Sequence, residues 1–205
     1  MAMQLPKEFQ QIIRLDGRDV FLEVLNNAFP IGKVRINFIE YDEKQQVGSR
    51  IKKNIPIYID IEKFLVLAQD VKSGRMSALA KKAKEDMTKG GYKYAKEIYM
   101  DQGGVPAKKL EERKKARPDG KSLARLFKIT PGEKSPWILS AETGPGEESE
   151  TGLIIPKYQR PEEILRVPVS DEDFKKLILI TEAHIFGFIS SQYYVRANAE
   201  IPREQ

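Results

Sequence analysis

Residues 55–71, IPIYIDIEKFLVLAQDV, and residues 165–181, LRVPVSDEDFKKLILIT, align at a constant offset of 110 positions. Ile55, Ile57 and Ile59 fall on Leu165, Val167 and Val169, three alternate apolar residues at the period of a half-buried strand. Asp60 falls on Ser170, and both residue types cap helix N-termini. Phe64, Leu67, Ala68 and Val71 then fall on Phe174, Leu177, Ile178 and Thr181, the i, i+3, i+4, i+7 stripe of a helix facing a core. Each copy reads as a strand running directly into a helix. Such junctions are common, so the flanking sequence has to carry the case for a repeat.

Working outward, residues 9–25, FQQIIRLDGRDVFLEVL, read as a hairpin: Asp16-Gly17 is a turn signal between strand formers Ile12, Ile13, Val20, Phe21 and Val24. KVRINFIEY (33–41) is a third strand, and RIKKNIPIYI (50–59) a fourth that enters the recurring helix. In the second half SLARLFKIT (122–130), PWILSAET (136–143), TGLIIPKY (151–158) and EEILRVPV (162–169) read as four strands, with GPGEESE (144–150) as a Gly-, Pro- and acid-rich loop. Pro56 and Pro168 interrupt the two fourth strands, which fits edge positions or bulges. The expected fold is α+β: one domain, 1–205, made of two β4α repeats at 9–73 and 121–194, with two antiparallel four-stranded sheets packed with two helices. Between them, 74–120 reads as a basic, partly helical insertion without a strand. SALAKKAKEDM (77–87) and YKYAKEIYMDQ (92–102) favour helix, Gly90-Gly91 and Gly103-Gly104 break it, and a lysine-rich run continues up to Pro118.

Charge is distributed unevenly. Residues 74–121 hold 14 Lys and Arg against 7 Asp and Glu, an excess of +7 in a chain whose net charge is +5. The basic character belongs to this segment, which fits either an anionic partner or simply solvated lysine-rich helices. The absence of cysteine excludes disulfides and thiol catalysis. The single histidine, His184, lies in an apolar run and reads as a satisfied helix-interface residue. No run of about 18 apolar residues and no signal-type N-terminus is present, so a cytoplasmic protein with no membrane partner is expected.

No phosphate-binding glycine loop, zinc pattern, nucleophile elbow or dinucleotide fingerprint occurs, and the acids of GPGEESE lack calcium-loop spacing. No catalytic residue, metal or cofactor is expected. The positive signal is on outward strand faces. If Val34, Ile36 and Phe38 point inward, Arg35, Asn37 and Tyr41 point outward, and by the same alternation so do Arg50, Lys52 and Tyr58. In the second half Arg125, Phe127, Trp137, Tyr158 and Arg166 are candidates, with Lys108, Lys109, Lys114 and Lys115 adding charge from the insertion. Interleaved cations and rings on an open sheet suit single-stranded nucleic acid, although polar outer faces are ordinary in antiparallel sheets.

Two successive units of four strands and a helix, with the junctions quoted above, resemble the Whirly family of single-stranded-DNA-binding proteins. The half-unit is similar to the single-stranded-DNA-binding transcriptional coactivator fold. The likeness covers roughly residues 9–73 and 121–194; of the family's Lys-Gly-Lys-Ala-Ala-Leu turn motif only Gly17 and the base Arg18 correspond. The resemblance implies two sheets packed perpendicular to each other, helices inside, and tetramers that lay single strands along the sheets with little sequence preference. Independently, residues 174–189, FKKLILITEAHIFGFI, are apolar nearly all round, so Leu177, Ile180, His184 and Phe188 are expected at an oligomer interface, unless the other repeat's helix supplies the cover. The expected function is non-enzymatic binding of single-stranded DNA or RNA by a homo-oligomer; a protein-interaction module is the alternative.

Overall fold

In the computed structural model, which describes residues 10–46 and 48–200, two antiparallel sheets of four and five strands and four helices form an α+β fold. Phe9, the expected first hairpin residue, lies outside the described residues. The first sheet runs in chain order: β1 (Gln11–Asp16), β2 (Val20–Leu25), β3 (Lys33–Tyr41) and β4 (Ile51–Asp60). At the hairpin the Gly17 N–H donates to Val20 O at 2.8 Å. Across the sheet, Ile13, Val24, Ile36 and Ile57 form one register row, and the last three are almost wholly buried. β4 is an edge strand, where Pro56 removes no ladder donor that the sheet needs.

Helix α1 (Ile61–Lys72) follows β4 directly and sinks Phe64, Leu67 and Ala68 into the core. Asp60 stands at its N-cap, but its carboxylate does not cap; it pairs with Lys33 and Lys63. Ser170 does cap: the Asp173 N–H donates to its Oγ at 3.0 Å, and that hydroxyl donates to the Asp173 carboxylate at 2.7 Å.

The second half departs from the expected strand order. Helix α2 (Arg75–Gly90) is followed by β5 (Tyr99–Val105), a strand inside the stretch read as strandless. Helix α3 (Ala107–Glu112) then leads to β6 (Ser122–Pro131), β7 (Trp137–Glu148), β8 (Ile154–Pro156), β9 (Glu163–Val169) and α4 (Asp171–Glu200). SLARLFKIT therefore lies between β5 and β7 and is not the sheet's edge. The glycine- and proline-rich stretch read as a loop continues β7 through Glu148, with Pro145 opposite Leu123 and Gly146 opposite Ser122. One edge of β7 is shared: its first half pairs with β9 and its last three residues with β8.

The physical reason for the long β7 is close approach. A Cβ at Gly144 would lie 2.7 Å from the ring of Tyr158, which returns over the strand after β8. Glycine here marks a covered strand and not a turn. A matching buried row, Val167, Leu139 and Ile129, continues to Tyr99 on β5. Side chains of both sheets, α1, α2 and α4 form one hydrophobic core.

Candidate nucleic-acid interface

On the outer face of the first sheet the register places Leu25, Arg35 and Tyr58 in one row and Glu23, Asn37 and Pro56 in the next. Alternation fixes this, because Ile36 and Ile57 of the same strands are core residues. Arg35 Nε donates to Asn37 Oδ1 at 2.9 Å, and Asn37 Nδ2 donates to Glu23 Oε1 at 2.9 Å. The Arg35 guanidinium carbon lies 5.9 Å from the centroid of the Tyr58 ring, which is 39% exposed. Arg35 and Tyr58 thus form a cation–aromatic pair presented to solvent. Asn37, 4% exposed, orients Arg35 and offers no free surface of its own.

Arg125 reaches the same place from the second sheet. Burial holds its guanidinium below the ordinary value; Arg113 and Arg35 act in the same direction and Tyr58 opposes them. Arg35, Arg113 and Tyr58 thus lie near enough to Arg125 to act on its charge, at the seam where β4 meets β6, and no carboxylate is among the charges acting on Arg125. Neither the Arg113 nor the Arg125 guanidinium has a hydrogen-bond or ion-pair partner among the described residues. A half-buried cation beside two more cations is electrostatically unfavourable until an anion joins them. Sequence reading chose the lysines around Arg113 and passed over Arg113 itself. It directly follows α3, whose Leu110 is buried, and this anchors the run beside β6. Lys108, Lys109, Lys114 and Lys115 are all exposed or half-buried around it.

At the other end of the first sheet Tyr41 packs edge-on to Phe21 at 5.5 Å, and the Arg14 guanidinium lies 3.7 Å from the Phe21 ring centroid. Arg14, also missed, is paired with Asp16 at 2.6 Å. Lys52 is paired with Asp42 at 3.0 Å, and exposed Arg50 donates to the Gln45 carbonyl. Arg50 precedes β4 and Lys52 is the extra residue at the irregularity between Glu40 and Tyr41, so the alternation expected to turn both outward is broken there, and Lys52 and Arg14 already have carboxylate partners.

Three expected contacts on the second sheet are not available. Phe127 is 2% exposed and packs on Phe38 and Tyr99 in the core. Trp137, 4% exposed, stacks on Phe174 and donates Nε1–H to Asp171 at 3.1 Å, pinning the start of α4 to β7. The Tyr158 ring lies on Gly144, and its hydroxyl is buried with no partner among the described residues. Burial first, then the charge of Glu142, pushes that phenol up to about 12. Arg166 is exposed opposite Ser140, and the neighbouring Lys128 is neutralised by Glu142 at 2.8 Å.

On α4 the expected interface divides. Leu177 is 1% exposed and belongs to the chain's own core, and Phe188 packs partly against Phe29 at 5.6 Å. Ile180 and His184 are exposed, so no other helix among the described residues covers the histidine. Leu179 (43%) and Phe186 (52%) add apolar surface to this outer side. Among the described residues no cluster of three or more acids and histidine is placed to hold a metal, and no helix is long and apolar enough to cross a membrane. Comparison with protein-family models, with curated proteins and with solved structures gave no match.

Proposed function

We propose that this chain is a non-enzymatic binder of single-stranded nucleic acid, with the strand lying on the outer face of the first sheet and entering the seam between the sheets. The observation that carries the reading is the Arg35 guanidinium 5.9 Å from the exposed ring of Tyr58, with half-buried Arg125 near enough for Arg35, Arg113 and Tyr58 to act on its charge. Three guanidiniums suit phosphates, and a ring exposed beside them offers a base its stacking partner. Lys108, Lys109, Lys114 and Lys115 extend the positive field along the path. Such a surface reads backbone and ring faces, so little sequence preference is expected.

The same reading takes the two halves as copies of one β4α unit, in keeping with the Whirly resemblance. Support comes from the two buried rows, Ile13-Val24-Ile36-Ile57 and Tyr99-Ile129-Leu139-Val167, each followed by a helix. Lys72 and Glu182, 110 positions apart like the aligned junctions, touch across α1 and α4 at 2.6 Å. On this view the second unit begins at β5, and β8 is an addition to it. The outer side of α4, with Leu179, Ile180 and Phe186 exposed, favours self-association, which would multiply the binding faces.

Fluorescence anisotropy with labelled oligonucleotides over a salt series tests the reading. Binding to single strands should weaken steeply with salt, with a logarithmic slope of about −0.7 for each phosphate contacted, and duplex should bind more weakly. Salt-independent binding, or equal affinity for duplex, would count against it.

A further inference from the structure

The segment between α1 and β5 carries a second surface of a different make. α2 buries Met76 and packs Leu79 and Ala80 against the core, which leaves its opposite side to solvent. A shallow depression on that side is lined by Lys81, Lys84, Thr88 and Lys89, with Glu85 as its one acid. None of these lysines has an ion-pair partner among the described residues. The helix then ends in a two-bond motif: Gly91 N–H donates to Thr88 O at 3.3 Å and Tyr92 N–H to Met87 O at 3.0 Å, with Gly91 at φ 64°.

Folding does not account for the residues just beyond this helix end. Tyr92 and Tyr94 are 71% and 70% exposed, and Lys93 between them holds its ammonium 5.3 Å from the Tyr94 ring centroid. The Tyr92 ring is seated: a Cβ at Gly90 would lie 2.3 Å from its Cε2, so only glycine lets the ring lie against the helix end. Two large rings left in water gain little for stability. The faces they present, next to unpaired cations, match the flat π surface and phosphates of unpaired nucleotides. A membrane would require an apolar wedge, which two tyrosines among lysines do not make.

We propose that this α2 arm is a separate contact for single-stranded nucleic acid, in which bases stack on Tyr92 and Tyr94 while Lys81, Lys84, Lys89 and Lys93 hold the flanking phosphates. The choice of partner rests on the function proposed above; the residues are independent of the sheet face and the seam.

The test is anisotropy titration of the full chain with labelled oligothymidylate, comparing wild type with Tyr92→Ala/Tyr94→Ala, Tyr92→Phe/Tyr94→Phe, Lys84→Gln/Lys89→Gln, and the seam variant Arg35→Gln/Arg125→Gln. The substituted arm positions are exposed, so circular dichroism should match wild type. The alanine pair should weaken binding about tenfold or more, the phenylalanine pair should bind as wild type, and the lysine pair should flatten the salt slope by about 1.4. Wild-type affinity in the alanine pair, with the seam variant weakened, overturns the arm and leaves the sheet reading standing. Loss in the arm variants with an unaffected seam variant upholds the arm and overturns the seam. A wild-type chain that binds no oligonucleotide overturns both.

Discussion

The outer faces of the two sheets differ although their strands alternate in the same way. On the first, Phe21, Leu25, Asn37 and Ile39 are buried, but Arg35 and Tyr58 reach solvent beside the seam arginines. The second is partly roofed by the connection from β7 to β9, which seats Tyr158 on Gly144 and leaves its hydroxyl without a partner among the described residues. Alternation tells which residues share a face; it does not tell what else in the chain will lie on that face. The two strand-to-helix junctions differ similarly. Ser170 caps its helix with its own hydroxyl, whereas Asp60 commits its carboxylate to Lys33 and Lys63.

The comparison can be broken most severely at Trp137. If this ring belongs to the core and not to a binding face, Trp137→Ala should cost about 3–5 kcal/mol in urea unfolding, with oligonucleotide affinity of the folded fraction unchanged. The junctions give the next effect. Ser170→Ala should lose about 1 kcal/mol at any pH, since a hydroxyl cap does not titrate. At Asp60 the lysines, Lys33 foremost, hold the carboxyl below its ordinary range. Its folded value is depressed, so its contribution is present above the unfolded carboxylate value and is lost as pH falls through the folded one. Asp60→Asn should therefore be less stable than wild type at neutral pH, by no more than about 1 kcal/mol given its solvent screening, and the gap should close in unfolding curves taken in acid.

Much of the first half could be read directly. Lys33–Tyr41 is the strand that its alternation indicated, and β4 enters α1 where Asp60 stands. The second half was less legible because its glycines have tertiary causes. Gly103 and Gly104 look like a break but lie in β5 opposite Arg125 and Ala124, and Gly144 and Gly146 look like a loop but lie under the returning chain. Local propensity has no access to a covering segment that arrives later. The site was half legible for a related reason. Arg35 and Tyr58 were visible as outward basic and aromatic residues and lie side by side, while Arg125, also expected outward, stands on the same side of β6 as Phe127, which faces the core. One strand face passes from seam to core within two residues, a change that parity cannot signal.

Smaller effects sharpen the comparison further. Arg125→Leu should leave stability unchanged or raise it by up to about 1 kcal/mol, because it removes a half-buried cation that folding does not pair; thermal melts would check this. Tyr158→Phe removes an unpartnered buried hydroxyl and should be neutral to slightly stabilising, by a few tenths of a kcal/mol, in the same assay.

The most direct measurement compares the two faces for binding. Labelled oligothymidylate of about 20 nucleotides is titrated into wild type, into Arg35→Gln/Arg125→Gln for the first sheet's face and seam, and into Lys128→Gln/Arg166→Gln for the roofed face. The first variant should bind about thirtyfold or more weakly and lose about 1.4 from the salt slope, and the second should stay within about threefold of wild type. Equal affinities for wild type and the seam variant, or a larger loss from the roofed face, would contradict the account.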